Sequence, residues 1–220
     1  MKLSICVIAA LASTLAFAEE YQYAIFTKGE EIGSATYSVT LLKDGGLKQG
    51  LKMKMKVNGA DSSFVAAQRY DSRGRPISET REDSWLTGSR SVKMTYTRAG
   101  LVVKIGVSVQ ISTKTYKYPR GSISTPSIFW FLKGTPARGA TEQRYFFDFD
   151  KSAFFMRTTK YVGRTDILAG GKKVSAHHVK QGYSNMFLDP NGMPWEMSIS
   201  DGSSTLTLVR KTSLHPGVKR

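Results

Sequence analysis

The chain has 220 residues, 40% of them hydrophobic, and 32 Lys plus Arg against 17 Asp plus Glu give it a formal charge of +15. One cysteine, Cys6, excludes an internal disulfide framework, and a chain of this length buries roughly 70% of its unfolded surface without one. The basic balance favours anionic surfaces such as lipid headgroups or acidic polymers.

The N-terminus opens with Met1-Lys2, an apolar or small run from Leu3 to Ala16, and the small-x-small site Ala16-Phe17-Ala18 before Glu19-Glu20. That order predicts a secretory signal peptide over residues 1–18. The expected address is therefore the periplasm, with extracellular release as the alternative, and nucleic acid becomes a poor partner. The apolar run falls short of the roughly 20 residues that span a bilayer, and no later stretch approaches that length. No transmembrane segment is expected in the mature chain. A single β-rich domain is expected over 19–212, followed by a flexible tail over 213–220.

Strand signals then follow one another. "YQYAIFT" (21–27) alternates aromatic and small residues, and "IGSATYSVTLL" (32–42) is rich in β-branched residues before an Asp44-Gly45-Gly46 turn. In "LKMKMKV" (51–57) Met53, Met55 and Val57 share one face, with Lys52, Lys54 and Lys56 on the other. "SFVAAQRYD" (63–71), "RPISETRED" (75–83), "SVKMTYTRAG" (91–100) and "LVVKIGVSVQISTKTYKY" (101–118) continue the pattern, the last as one long strand or two short ones. Strands at this spacing with glycine-containing turns predict an antiparallel meander, sandwich or barrel.

"STPSIFWFLKG" (124–134) departs from it. Thr125 is placed as an N-cap, Pro126 at the first helical position and Gly134 past the end, which predicts one short buried helix. Beyond it, "QRYFFDFD" (143–150), "AFFMRTTKYV" (153–162), a hairpin around Gly170-Gly171 and an Asp-Pro-Asn-Gly turn (189–192) restore the β pattern, and "STLTLVRK" (204–211) closes the sheet. The fold class is thus all-β and mainly antiparallel: a curved sheet or incomplete barrel of about ten strands with one short buried helix.

Catalytic signatures are scarce. His177 and His178 are adjacent, so on a strand they point to opposite faces and share a metal poorly. No G-x-S-x-G elbow and no glycine-rich phosphate loop is present. Asp148 and Asp150 read as a solvated strand face rather than an acid/base pair. The chain is expected to be no enzyme, with no cofactor and no metal site.

The order of "KGEEIGSATYSV" (28–39), "YDSRGRPI" (70–77), "SIFWFLKGTPARG" (127–139), "TDILAGGKKVSAHHV" (165–179) and "FLDPNGMPWEM" (187–197) resembles the exported bacterial family called domain of unknown function 3108. Its architecture is similar to the lipoprotein-carrier fold, a curved antiparallel sheet around an apolar cavity. The resemblance implies no particular activity. Three readings stand. An exported binding protein would hold a lipid-like or other apolar ligand against Met53, Met55, Phe129, Trp130 and Phe131, with Lys52, Lys54 and Lys56 as an anionic contact. A structural or adaptor protein would dock on an envelope partner or anionic polymer. A hydrolase comes last.

Overall fold

The computed structural model describes residues 18–121, 123, 131, 134–169, 171–200 and 205–211. Its strands begin with β1 (Ala18–Thr27), β2 (Glu30–Leu41), β3 (Leu47–Val57), β4 (Ala60–Tyr70) and β5 (Pro76–Trp85). β6 (Gly88–Tyr96), β7 (Leu101–Val107), β8 (Gln110–Tyr116), β9 (Thr141–Asp148) and β10 (Ala153–Ala169) follow. β11 (Lys172–Gln181), β12 (Ser184–Leu188), β13 (Pro194–Ser200) and β14 (Thr205–Arg210) complete the chain.

All fourteen strands join one antiparallel sheet in the order β8-β7-β6-β5-β4-β3-β2-β1-β14-β13-β12-β11-β10-β9. The expected class holds, and the count of about ten is corrected to fourteen. The 101–118 stretch divides at Ser108-Val109 into two strands, and tight turns at Lys28-Gly29 and Asn58-Gly59 add hairpins between strands of ten to twelve residues. Lys28, Gly29, Asn58 and Gly59 all have positive φ, the conformation of the two-residue hairpin turns whose twist matches that of the strands. Of the expected helix, only Phe131 and Gly134 lie within the described residues, and Phe131 is helical. Among the described residues no helix is long and apolar enough to cross a membrane.

A flat sheet of this order would separate β8 from β9 by roughly 60 Å, thirteen spacings of about 4.8 Å. The Tyr116 ring at the end of β8 instead lies 4.7 Å from the Phe147 ring on β9. The sheet is therefore rolled, and no backbone ladder between β8 and β9 closes it. Side chains fill this seam. Phe154 stacks edge-on against Phe147 and Tyr118 at 5.2 and 6.0 Å, over Val92, Met94, Leu101 and Val103. Arg90 reaches Asp150 at 3.3 Å across it and lies 4.6 Å above the Phe149 ring. Strand alternation explains the interior: one row of residues from each strand points inwards and the next faces water.

The centre of the sheet is the most densely packed part. Tyr23, Ile25 and Leu208 are fully buried on β1 and β14, with Ala35 and Met53 beside them. Below this core, the Asp189-Pro190-Asn191-Gly192 turn is held by the Asp189 carboxylate, which accepts the amides of Asn191 and Met193 at 2.9 Å. Its other oxygen takes both Arg210 guanidinium N–H groups at 3.1 Å. The guanidinium lies 3.5 Å over Trp195. This buried pair ties the last strand to the β12–β13 turn.

Candidate functional site

The interior is not filled throughout. A chamber of about 280 Å³ lies inside the roll, between the β2–β6 wall and the β9, β11, β12 and β13 wall. Register aligns Val39, Gln49, Gln68 and Glu79 across β2 to β5. The same inward row that supplies apolar residues elsewhere therefore supplies two amides and a carboxyl here.

These groups form a hydrogen-bonded chain. Tyr37 donates its hydroxyl to Gln49 at 3.0 Å, Gln49 donates its amide to Gln68, and Gln68 donates to Glu79 Oε2 at 2.9 Å. The Tyr70 hydroxyl also donates to Gln68, at 3.0 Å. Tyr96 and Gln181 add further polar groups to the lining, while Phe147, Met186 and Met197 make it apolar opposite. The chamber is amphipathic, with its polar wall on β2–β6.

Burial shifts the titration of this wall. Desolvation raises the Glu79 carboxyl above the ordinary range of a glutamate, against the Gln68 hydrogen bond and the Arg81 charge, which lower it. Burial likewise raises the phenols of Tyr37 and Tyr96, and that of Tyr70, which the Glu79 charge raises further. The wall thus offers hydrogen-bond donors and acceptors to a polar group.

A wider vestibule of about 600 Å³ shares Pro76, Tyr96 and Ile123 with the chamber, so the two spaces adjoin. Arg75, Arg98 and Arg144 line it. Arg75 is bound to Asp71 at 2.7 Å and Arg144 to Glu142, and the buried Arg144 Nε has no hydrogen-bond partner. The vestibule thus sets three guanidinium groups against the Asp71 carboxylate.

The sequence-predicted residues lie elsewhere. Met53 is buried among Tyr23, Ile25, Ala35 and Leu208, and Met55 packs half-buried against the same cluster. Neither lines the chamber. Phe129 and Trp130 lie outside the described residues. Phe131 packs against Tyr161, Val179 and Leu188 and touches the chamber's rim through Gly192, where an added Cβ would meet the Phe131 Cβ at 3.0 Å and its ring at 3.2 Å. Lys52, Lys54 and Lys56 are exposed on the outer face of β3.

The adjacent histidines do take opposite faces. His177 is buried and its Nδ1 shares a hydrogen bond of 2.8 Å with the Tyr161 hydroxyl. Burial, aided by the Arg164 charge and opposed by Asp189, lowers its pKa and favours the neutral ring. His178 stacks on Phe187 outside, with Asn185 at 2.9 Å. Asp148 accepts the Lys151 amide in the β9–β10 turn, while Asp150 belongs to the seam. Among the described residues no three metal-ligating side chains converge.

The described residues thus define a barrel-like antiparallel sheet with an amphipathic interior chamber. It is similar to the crystal structure of a β-barrel-like protein of domain of unknown function DUF1849 from Brucella abortus, with a TM-score of 0.57 at 12% identity, over 90% of this chain and 96% of that one. A DUF1089 family protein from Pseudomonas aeruginosa matches at 11% identity and a TM-score of 0.39, over 87% of this chain and 95% of that one. The first likeness shows a shared fold and nothing finer. No family model matches the chain, that of domain of unknown function 3108 included, and no curated protein matches it.

Proposed function

We propose that the chain is an exported, non-catalytic binding protein that holds a compact amphipathic ligand inside its rolled sheet. The hydrogen-bonded Tyr37–Gln49–Gln68–Glu79 row on the wall of a 280 Å³ chamber carries this reading. A buried polar row of this kind is costly to desolvate unless its groups are satisfied, and it faces open space where a ligand's polar end would complete its bonding. The opposite wall of Phe147, Met186 and Met197 suits an apolar body.

The chamber's size sits near the lower end of small-molecule sites, about 300–1,000 Å³. It therefore suits a short lipid-like molecule or fragment better than a long hydrocarbon chain. The arginine-lined vestibule favours ligands with an acidic group. Export is supported by the Met1–Ala18 pattern, and a periplasmic address is part of the proposal.

Native mass spectrometry of the protein purified from its own envelope fraction, followed by organic extraction, tests the reading. A reproducible bound mass that is lost in Gln68→Leu, at unchanged fold, is the expected result. A bare protein mass over repeated preparations would remove the ligand and leave the adaptor reading.

A further inference from the structure

We propose that one rim of the rolled sheet docks on an anionic phospholipid bilayer through three neighbouring hairpin tips. The inference is independent of the chamber. In an antiparallel meander alternate turns lie at the same end, so the β3–β4, β5–β6 and β7–β8 turns share one rim. Register keeps them level: Met55 faces Ser62, Ser63 faces Ser84, and Arg90 faces Val107.

That rim is apolar where water should be met. Leu86 is 82% exposed, Val109 95% and Ile111 79%, with Val57, Trp85 and Val107 each more than two-fifths exposed. Scattered exposed apolar residues are ordinary, but a contiguous group rimmed by polar residues marks an interaction site. These six lie on consecutive hairpins.

Turn chemistry makes the placement costly for folding alone. In the β1–β2 and β3–β4 turns Lys28 and Asn58 take positive φ and each is followed by a glycine, Gly29 or Gly59, that takes the second such position. The next two tips carry Leu86-Thr87 and Ser108-Val109. Ser108 is held at φ 54° without a glycine, a conformation non-glycine residues seldom adopt. Leucine and valine there gain almost no burial, so both turn preference and solubility are given up for exposed apolar side chains. Local rules broken without gain in the fold point to function.

The chemistry of the occupant follows from shape and charge. Exposed apolar hairpin tips carrying an indole suit the headgroup boundary, into which apolar groups sink by roughly 5–10 Å. Cations stand just behind them. Lys54 has Ser34 and Ser63 as its ladder neighbours and Lys52 has Thr36 and Val65, none of them a carboxylate. Lys56, facing Asp61, continues the row to Val57. This lysine row, on a chain of net charge +15, complements an acidic lipid surface.

The test is co-sedimentation with vesicles of phosphatidylglycerol and phosphatidylcholine, and of phosphatidylcholine alone. Wild type is compared with Leu86→Asp/Val109→Asp and with Lys52→Glu/Lys54→Glu. Each pair differs from wild type only at exposed positions, so anything the N-terminal segment contributes cancels, and thermal melts check the fold. Binding to the anionic vesicles, at least tenfold weaker in both double variants and weakened by salt, is the expected result. Absence of wild-type binding overturns the proposal. So does binding that Leu86→Asp/Val109→Asp leaves intact, which places the contact elsewhere. A wild-type dimer that this variant makes monomeric, with no vesicle binding, would instead seat a second copy on the rim.

Discussion

Glu79 is a carboxyl whose neighbours are amides and phenols, and its pH behaviour follows from that setting. Desolvation raises its folded pKa above the unfolded value of about 4.3. The folded state thus binds the proton more tightly than the unfolded chain. Its contribution is fully present below the unfolded value and is lost as pH rises through the folded one. Glu196, also raised by burial, acts with the same sign, so a single melt does not isolate either group. The difference between wild type and Glu79→Gln does. The variant's melting temperature is expected to equal or exceed that of wild type near pH 7, with the gap shrinking towards pH 4. A gap independent of pH would show that the Glu79 pKa is the same in the folded and unfolded states. Arg210 presents the opposite case, a buried charge that must keep its partner. Arg210→Ala strips both hydrogen bonds from the buried Asp189 and removes the cation over Trp195. A loss on the order of 3–5 kcal/mol is expected, measured by denaturant unfolding. Arg210→Lys should recover only part of it, because a lysine lacks the planar fork that meets one carboxylate while lying on an indole.

Between single residues and the whole roll stands the seam, where two strand edges meet through rings instead of peptide groups. Phe147 touches both Tyr116 and Phe154 there. Phe147→Ala is expected to cost about 3–5 kcal/mol and to enlarge the chamber it lines, read by denaturant unfolding and by uptake of an environment-sensitive apolar dye. Unchanged dye uptake would mean that neighbouring rings collapse into the gap. The elements that make this seam were unequally legible in the sequence. β3 announces itself through Lys52, Met53, Lys54, Met55 and Lys56, since alternation is the direct imprint of one wet and one dry face. The Asp189–Gly192 turn is equally plain. β8 is less plain: "QISTKTY" is exposed along nearly its whole length, so no dry face disciplines its pattern, its turn lacks a glycine, and the sequence leaves 101–118 open as one strand or two. The chamber was hidden for another reason. Gln49, Gln68 and Glu79 are ordinary polar residues on three strands, and only the pairing register puts them in one inward row. Met53 and Met55 pack in the central core and do not line the chamber, and the sequence does not separate the two because core and cavity walls are written with the same apolar residues.

At the scale of the molecule, chain order and sheet order run in opposite senses. β1 and β14 pair at the centre, Tyr23 facing Arg210, while β8 and β9 from mid-sequence form the edges. The most buried ladder is thus also the most distant in sequence, and loop-closure entropy must be met before it forms. Protection from hydrogen exchange should follow this layout. Tyr23 and Ile25 lie between two hydrogen-bonded neighbours and have no exposed surface, so their amides should exchange only with global unfolding. β8 has a ladder on one side alone, and its residues from Gln110 to Thr115 are exposed. Its outward amides should exchange early, at conditions where β1, β2 and β14 remain protected. Mass-spectrometric exchange on peptides covering 110–116 and 20–27 gives the comparison directly. Equal protection of the two peptides would require a backbone ladder between β8 and β9, and with it a closed barrel in place of a rolled sheet held by its aromatic seam.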